Sequence, residues 1–174
     1  MLSRVADHLY WLSRYMERAE ATARLAIAAS DTILDLPSAV PYHWESLMPV
    51  FGAREVDHGL TESEVMEQLV LSLDNPSSIR SSVACARENA RVTRDLIPKD
   101  AWIALNELHG FIERQSFATF DRSSRVRLLK QVISACRLWH GCLMANQARD
   151  LSWLFLRLGD RLEHADMVSR FVDP

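Results

Sequence analysis

The sequence predicts an all-α protein: a multi-helix bundle whose first and last helices are long and carry a repeated acid/base motif. Three observations point there. Apolar residues recur at helical spacing over most of the chain. No segment shows the period-two alternation of a half-buried strand. Five glycines and six prolines in 174 residues are too few for the many turns of an all-β fold.

The first helix is the clearest. With 100° per residue and Glu17 as origin, Leu2, Val5, Leu9, Leu12, Met16, Ala19, Ala23 and Ile27 cluster between about 200° and 300°. One helix over 3–30 follows, with Ser3 as N-cap. Pro37 to Pro41 reads as loop, 42–48 as a short helical piece stopped by Pro49 and Gly52, and 52–60 as loop. Thr61 and Glu64 form a capping-box pattern for a helix over 62–72. Asn75-Pro76 then opens a helix over 77–96 that Pro98 ends. Trp102, Leu105, Leu108 and Ile112 stripe a helix over 99–117, and two more follow over 123–147 and 151–172.

The length suits a single α-helical domain over 1–174. A net charge of −3 and a pI near 6.1 give no global drive towards nucleic acid or an anionic membrane. No apolar run approaches the roughly 18 residues of a membrane span, and the charged N-terminus is unlike a signal peptide. Cys85, Cys136 and Cys142 form no Cys-x-x-Cys pair and read as reduced core thiols of a cytoplasmic protein.

The terminal helices echo each other. Aligning Glu17 with Glu163 also pairs Leu12 with Leu158, Met16 with Leu162, Ala19 with Ala165, Glu20 with Asp166 and Arg24 with Arg170. Equal phase predicts that both helices bury the same stripe. Glu20 and Asp166 then lie about 50° from its middle, each with an arginine four residues on. Two readings stand side by side. These are boundary salt bridges worth a few tenths of a kcal/mol. Or two helices bring Glu17, Glu20, Glu163 and Asp166 together, a cluster that needs a cation to neutralise it. Arg87, Arg91 and Arg94 form a basic stripe that is either solvated, faces those acids, or takes an anionic ligand.

Other chemistries find little footing. Glu55–His58 is a lone Glu-x-x-His in a loop, and His8, His43, His109, His140 and His164 lack ligand spacing, so no metal is expected. Asp160 and His164, four residues apart, read as a surface pair. No Gly-x-Ser-x-Gly and no glycine-rich phosphate loop occurs. Trp11, Trp44, Trp102, Trp139 and Trp153 read as core anchors.

The stretches "MLSRVADHLYWLSRYMERAEATARL" (1–25), "NPSSIRSSVACARENARVTRDL" (75–96) with "AWIALNEL" (101–108), and "RDLSWLFLRLGDRLEHADMVSR" (149–170) resemble the alpha-E family, bacterial helical proteins named for a repeated Glu-Arg motif. Two departures stand out: the second Glu-Arg is Glu163-His164 here, and family members generally continue beyond this length, so the chain could be the N-terminal part of a longer one. The resemblance implies company with circularly permuted ATP-grasp ligases and transglutaminase-like proteins, and a theme of peptide-bond formation or modification. Carried over to this sequence, its candidate functional positions are Glu17, Arg18, Glu20 and Arg24, then Arg87, Glu88, Asn89 and Arg91, and finally Glu163, Asp166 and Arg170.

The leading expectation is an accessory or substrate-handling module of such a ligase system, without a cofactor. A charged site between helices would hold an amino or guanidino group of a peptide or amino acid, or position the partner enzyme. The alternatives are an enzyme using Glu17 or Glu163 as general base, and a purely structural module whose ionic network fixes helix register. Self-association would cover any apolar surface left open.

Overall fold

A computed structural model describes residues 2–35, 43–51, 59–116 and 121–172. All regular elements among them are helical, as the periodicity predicts. They are α1 (Ser3–Asp35), α2 (Glu62–Val70), α3 (Ile79–Val92), α4 (Lys99–Glu113), α5 (Arg122–Asn146) and α6 (Leu151–Val172). Trp44–Leu47, Pro49–Phe51 and Arg94–Leu96 are short 3-10 turns. Pro37 to Pro41, Gly52, Glu55 and His58 lie outside the described residues.

Helix α1 organises the bundle. Its 33 residues contain neither Gly nor Pro, so nothing interrupts a rod about 50 Å long. It packs against α2, α3, α5 and α6, while α4 covers α3 and α5. Leu9, Leu12 and Met16 fill the core along its first half, and Ala19, Ala23 and Ala26 continue the stripe. They meet Val83 and Ala86 of α3, Leu105 and Leu108 of α4, and Leu129, Val132 and the fully buried Trp139 of α5 in one cluster. A smaller cluster joins Met48, Phe51, Val65 and Leu69 to Met167 of α6.

Local chemistry explains most boundaries. Thr61 Oγ1 accepts from the Glu64 backbone N–H at 3.4 Å while Glu64 Oε2 accepts from the Thr61 N–H at 2.8 Å, closing the predicted capping box of α2. Ser78 and Asp121 cap α3 and α5 through Ser81 N and Ser124 N. Ser3 is not a cap: the N–H groups of Val5 and Ala6 bond back to Leu2 O, so the helix already includes Ser3. The expected helix over 77–96 divides. Thr93, whose hydroxyl donates to Asn89 O at 2.9 Å, ends α3 and hands over to a 3-10 turn before Pro98.

Helix α6 departs most from expectation. Leu154, Leu158, Leu162 and Val168, with Ala165 between them, face solvent, whereas their α1 counterparts Leu12, Met16 and Ala19 are buried. The inward side of α6 is instead Ser152, Leu156, Asp160, Glu163 and Met167. Gly159 explains the choice. A Cβ there would stand 2.2 Å from Tyr10 O and 3.0 Å from Tyr10 C, so only glycine lets the two backbones approach this closely. With Gly159 against Tyr10, the leucines point outward and Glu163 points in.

Candidate functional site

Helices α1 and α6 run parallel, since Tyr10 meets Gly159, Arg14 meets Glu163, and Ala21 and Leu25 pack with Met167. Glu163 is fully buried at their interface. Its Oε2 accepts from Arg14 Nε at 2.5 Å, and its Oε1 accepts from Arg18 Nε at 2.6 Å. A second Arg18 nitrogen donates to Oε2 at 3.1 Å. Aromatic faces hold both guanidiniums: Arg14 lies 5.0 Å from the Trp11 ring centroid and Arg18 5.5 Å from that of Tyr15. One step along, His164 Nδ1 stands 2.9 Å from Glu17 Oε1. The Glu17-Arg18 pair of α1 and the Glu163-His164 pair of α6 thus interlock crosswise. His164 still offers Glu17 a nitrogen where the repeated motif would have an arginine.

The other acids go elsewhere. Asp166 bonds Arg170 at 2.9 Å and lies 3.6 Å from Arg14. Glu20, nearly buried, takes both Nε and a terminal nitrogen of Arg24. It also faces α5, with His140 Nδ1 and Arg137 Nε each at 3.7 Å. Each of the four acids is ion-paired with cations from the chain itself, and Arg14 bridges Glu163 and Asp166.

Arg87, Arg91 and Arg94 stay with their own neighbourhood. Arg87 donates to Asn106 Oδ1 at 2.8 Å, Arg91 pairs with Glu88 at 3.0 Å, and Arg94 lies over the Trp102 ring. Asn89 reaches α1 through a different contact, His8 Nδ1 at 2.8 Å. The tryptophans divide as well. Only Trp139 is fully buried, while Trp11, Trp102 and Trp153 are half-buried platforms for arginines. Cys136 is buried as expected, but Cys85 is exposed and Cys142 half-buried.

Between α1, α5 and α6 opens a cleft of about 590 Å³. Glu17, Glu20, His140 and Asp160 line its ionic part together with Arg24, Arg137, Arg157 and Arg161. Ala21, Leu25, Met144, Met167 and Val168 supply its apolar part. His140 stands at the centre, with Nε2 3.3 Å from Asp160 Oδ1 and Nδ1 towards Glu20. Burial pushes its pKa down, but Asp160 and Glu20 on either side outweigh that and lift it to about 9. The imidazole is therefore protonated at neutral pH. Burial raises the carboxyl pKa values of Glu20 and Asp160; His140, with Arg24 for the first and Arg157 for the second, more than reverses this and holds both low.

Glu17, His140 and Asp160 can each offer one donor atom, and the three lie within 4.8 Å of one another. A metal there would have to displace the His140 proton and sit among four guanidiniums. The two carboxylates, Glu17 and Asp160, already stand beside a cation, the His140 imidazolium.

His140, Asp160, Arg137, Arg157 and Arg161 were not singled out from sequence as one site. Asp160 carried a usable signal, since it sits one helical turn before Glu163 and so shares its face. Arg14, one turn before Arg18, carried the same signal. His140 and Arg137 carried none, because only the packing of α5 against α1 brings them to Glu20.

Fold and site define a helical bundle with an ion-paired parallel helix pair and an adjoining charged cleft. The chain belongs to the Alpha-E family, described as "a predicted alpha-helical domain with a conserved ER motif", whose model matches residues 1–174. Similar proteins include uncharacterised proteins of Mycobacterium bovis and Mycobacterium tuberculosis, each 25% identical over 186 residues and covering 92% of this chain. The chain spans 21% of the length of these curated relatives. No solved structure matches it. No helix among the described residues is long and apolar enough to cross a membrane.

Proposed function

We propose that the chain is an accessory, substrate-handling module of a peptide ligation or modification system built around a circularly permuted ATP-grasp ligase or a transglutaminase-like protein. The cleft between α1, α5 and α6 is its ligand site. The observation that carries this reading is the composition of the cleft, an ionic floor beside an apolar wall in a space of about 590 Å³. The link to a ligase rests on the family resemblance. Binding is favoured over catalysis because the candidate bases are already ion-paired, Glu17 with His164 at 2.9 Å and Glu163 with Arg14 and Arg18. Glu163 is bound by two arginines and has no path to a substrate proton.

The test is co-expression of the tagged chain with an ATP-grasp ligase from the same genome. Retention of the ligase on the affinity resin, and amide formation that depends on the chain, are the expected results. Amide formation at the same rate without the chain, together with no retention, refutes the reading.

A further inference from the structure

The acids of the cleft are satisfied, and two of its arginines are not. Arg24 bonds Glu20 through two nitrogens, and Arg157 donates to Asp160 at 2.8 Å. Arg137 and Arg161 differ. Their ion-pair approaches to an acid are through Nε, at 3.7 Å from Glu20 and 3.6 Å from Asp160, beyond hydrogen-bond length. Neither makes a hydrogen bond to the described residues, and their side chains are 62% and 68% exposed. The cleft thus presents two guanidinium forks from two different helices, with their terminal N–H groups unclaimed. The balance of charge has the same sign, since four arginines and the His140 imidazolium stand against three carboxylates.

A cationic ligand would have to compete with these arginines for carboxylates that are already occupied. An anion would complete the arginines, because a planar guanidinium matches a carboxylate or phosphate through paired N–H···O bonds. Beside the forks lie Leu25, Met144, Met167 and Val168, an aliphatic surface that a bare inorganic ion would leave unused. Methionine side chains adapt to ligands of varied shape.

We infer that the cleft recognises an oxyanion attached to an aliphatic body, with Arg137 and Arg161 as its binding residues. In the proposed ligation system this is the carboxyl end of an amino acid or peptide with an apolar side chain. The inference rests on the cleft being the ligand site and reverses the polarity that the acid-rich motif suggests. Glu20, Asp160 and His140 act as positioning residues. They anchor Arg24 and Arg157 and set the charge behind the two free forks.

The test is isothermal titration of the intact chain with four probes: N-acetyl-L-leucine, its neutral amide, the cation L-leucinamide, and inorganic phosphate. Saturable binding of N-acetyl-L-leucine and none of its amide are expected. Arg137→Gln/Arg161→Gln should weaken binding about tenfold or more while leaving the melting temperature near wild type, since both side chains are largely exposed. Phosphate binding as tight as N-acetyl-L-leucine overturns the inference, because a bare ion leaves the aliphatic wall unused; weaker phosphate binding supports it. Preference for L-leucinamide overturns the inference yet leaves the cleft as a ligand site. No saturable binding of any probe, by a chain that still promotes the ligase reaction, overturns it and leaves partner docking as the function.

Discussion

Replacing Glu163 by Gln isolates the ionic interlock of α1 and α6. The carboxylate is fully buried and accepts three hydrogen bonds from Arg14 and Arg18, whose side chains are only 17% and 16% exposed. Removing one partner of a buried ion pair costs about 3–5 kcal/mol, because the remaining charge keeps its desolvation penalty. Glutamine retains one oxygen acceptor, and Arg14 keeps Asp166 at 3.6 Å, so the low end applies, about 3 kcal/mol. For a chain of this size each kcal/mol moves the midpoint by roughly 2–4 °C, which gives a fall of about 6–12 °C. The assay is thermal unfolding followed by circular dichroism, with Glu17→Gln as comparator. Among the described residues the ion-pair partner of Glu17 is His164, whose side chain is 62% exposed, and loss of this pair should cost about 1 kcal/mol. Equal small losses in both variants would refute the claim that Glu163 locks the helix pair. A rise for Glu163→Gln would show instead that burial of the three charges strains the fold.

Three further outcomes are expected. The folded pKa of His140, about 9, lies above its unfolded value near 6.5, so its contribution is complete below pH 6.5 and is lost as pH rises through 9. Unfolding free energy should fall between those limits by an amount on the order of 2–3 kcal/mol, seen as a falling melting temperature, and His140→Gln should flatten the slope; an unchanged slope in the variant assigns it elsewhere. Gly159→Ala should cost at least about 2 kcal/mol, because the added carbon meets the Tyr10 backbone and not a movable side chain, and a melting temperature within a degree of wild type would refute the close approach. Leu158→Glu should leave stability within about 0.5 kcal/mol of wild type if the residue is as open as its 47% exposure indicates, whereas a large loss would mean that something covers this face.

The sequence by itself determined the helices, because each depends on residues three and four apart on one segment. The periodic stripe of α1, the Thr61–Glu64 box and the break before Pro98 are local features, and all appear in the fold. It also showed that Glu17, Glu20, Glu163 and Asp166 are unusual acids close to apolar stripes. Tertiary structure alone decided what each acid meets and which face of α6 is buried. A helical wheel gives the leucine face of α6 and the Glu163 face the same right to point inward, weighted only by hydropathy. The choice came from the close approach of Gly159 to Tyr10, of which α6 shows only the lone glycine, and from two arginines on α1 that neutralise Glu163 and leave no mark within α6. The cleft likewise exists only because α5 brings Arg137 and His140 to acids more than a hundred residues away in the chain for Glu20 and some twenty away for Asp160. Periodicity is a property of one helix; charge pairing across helices is a property of how they pack.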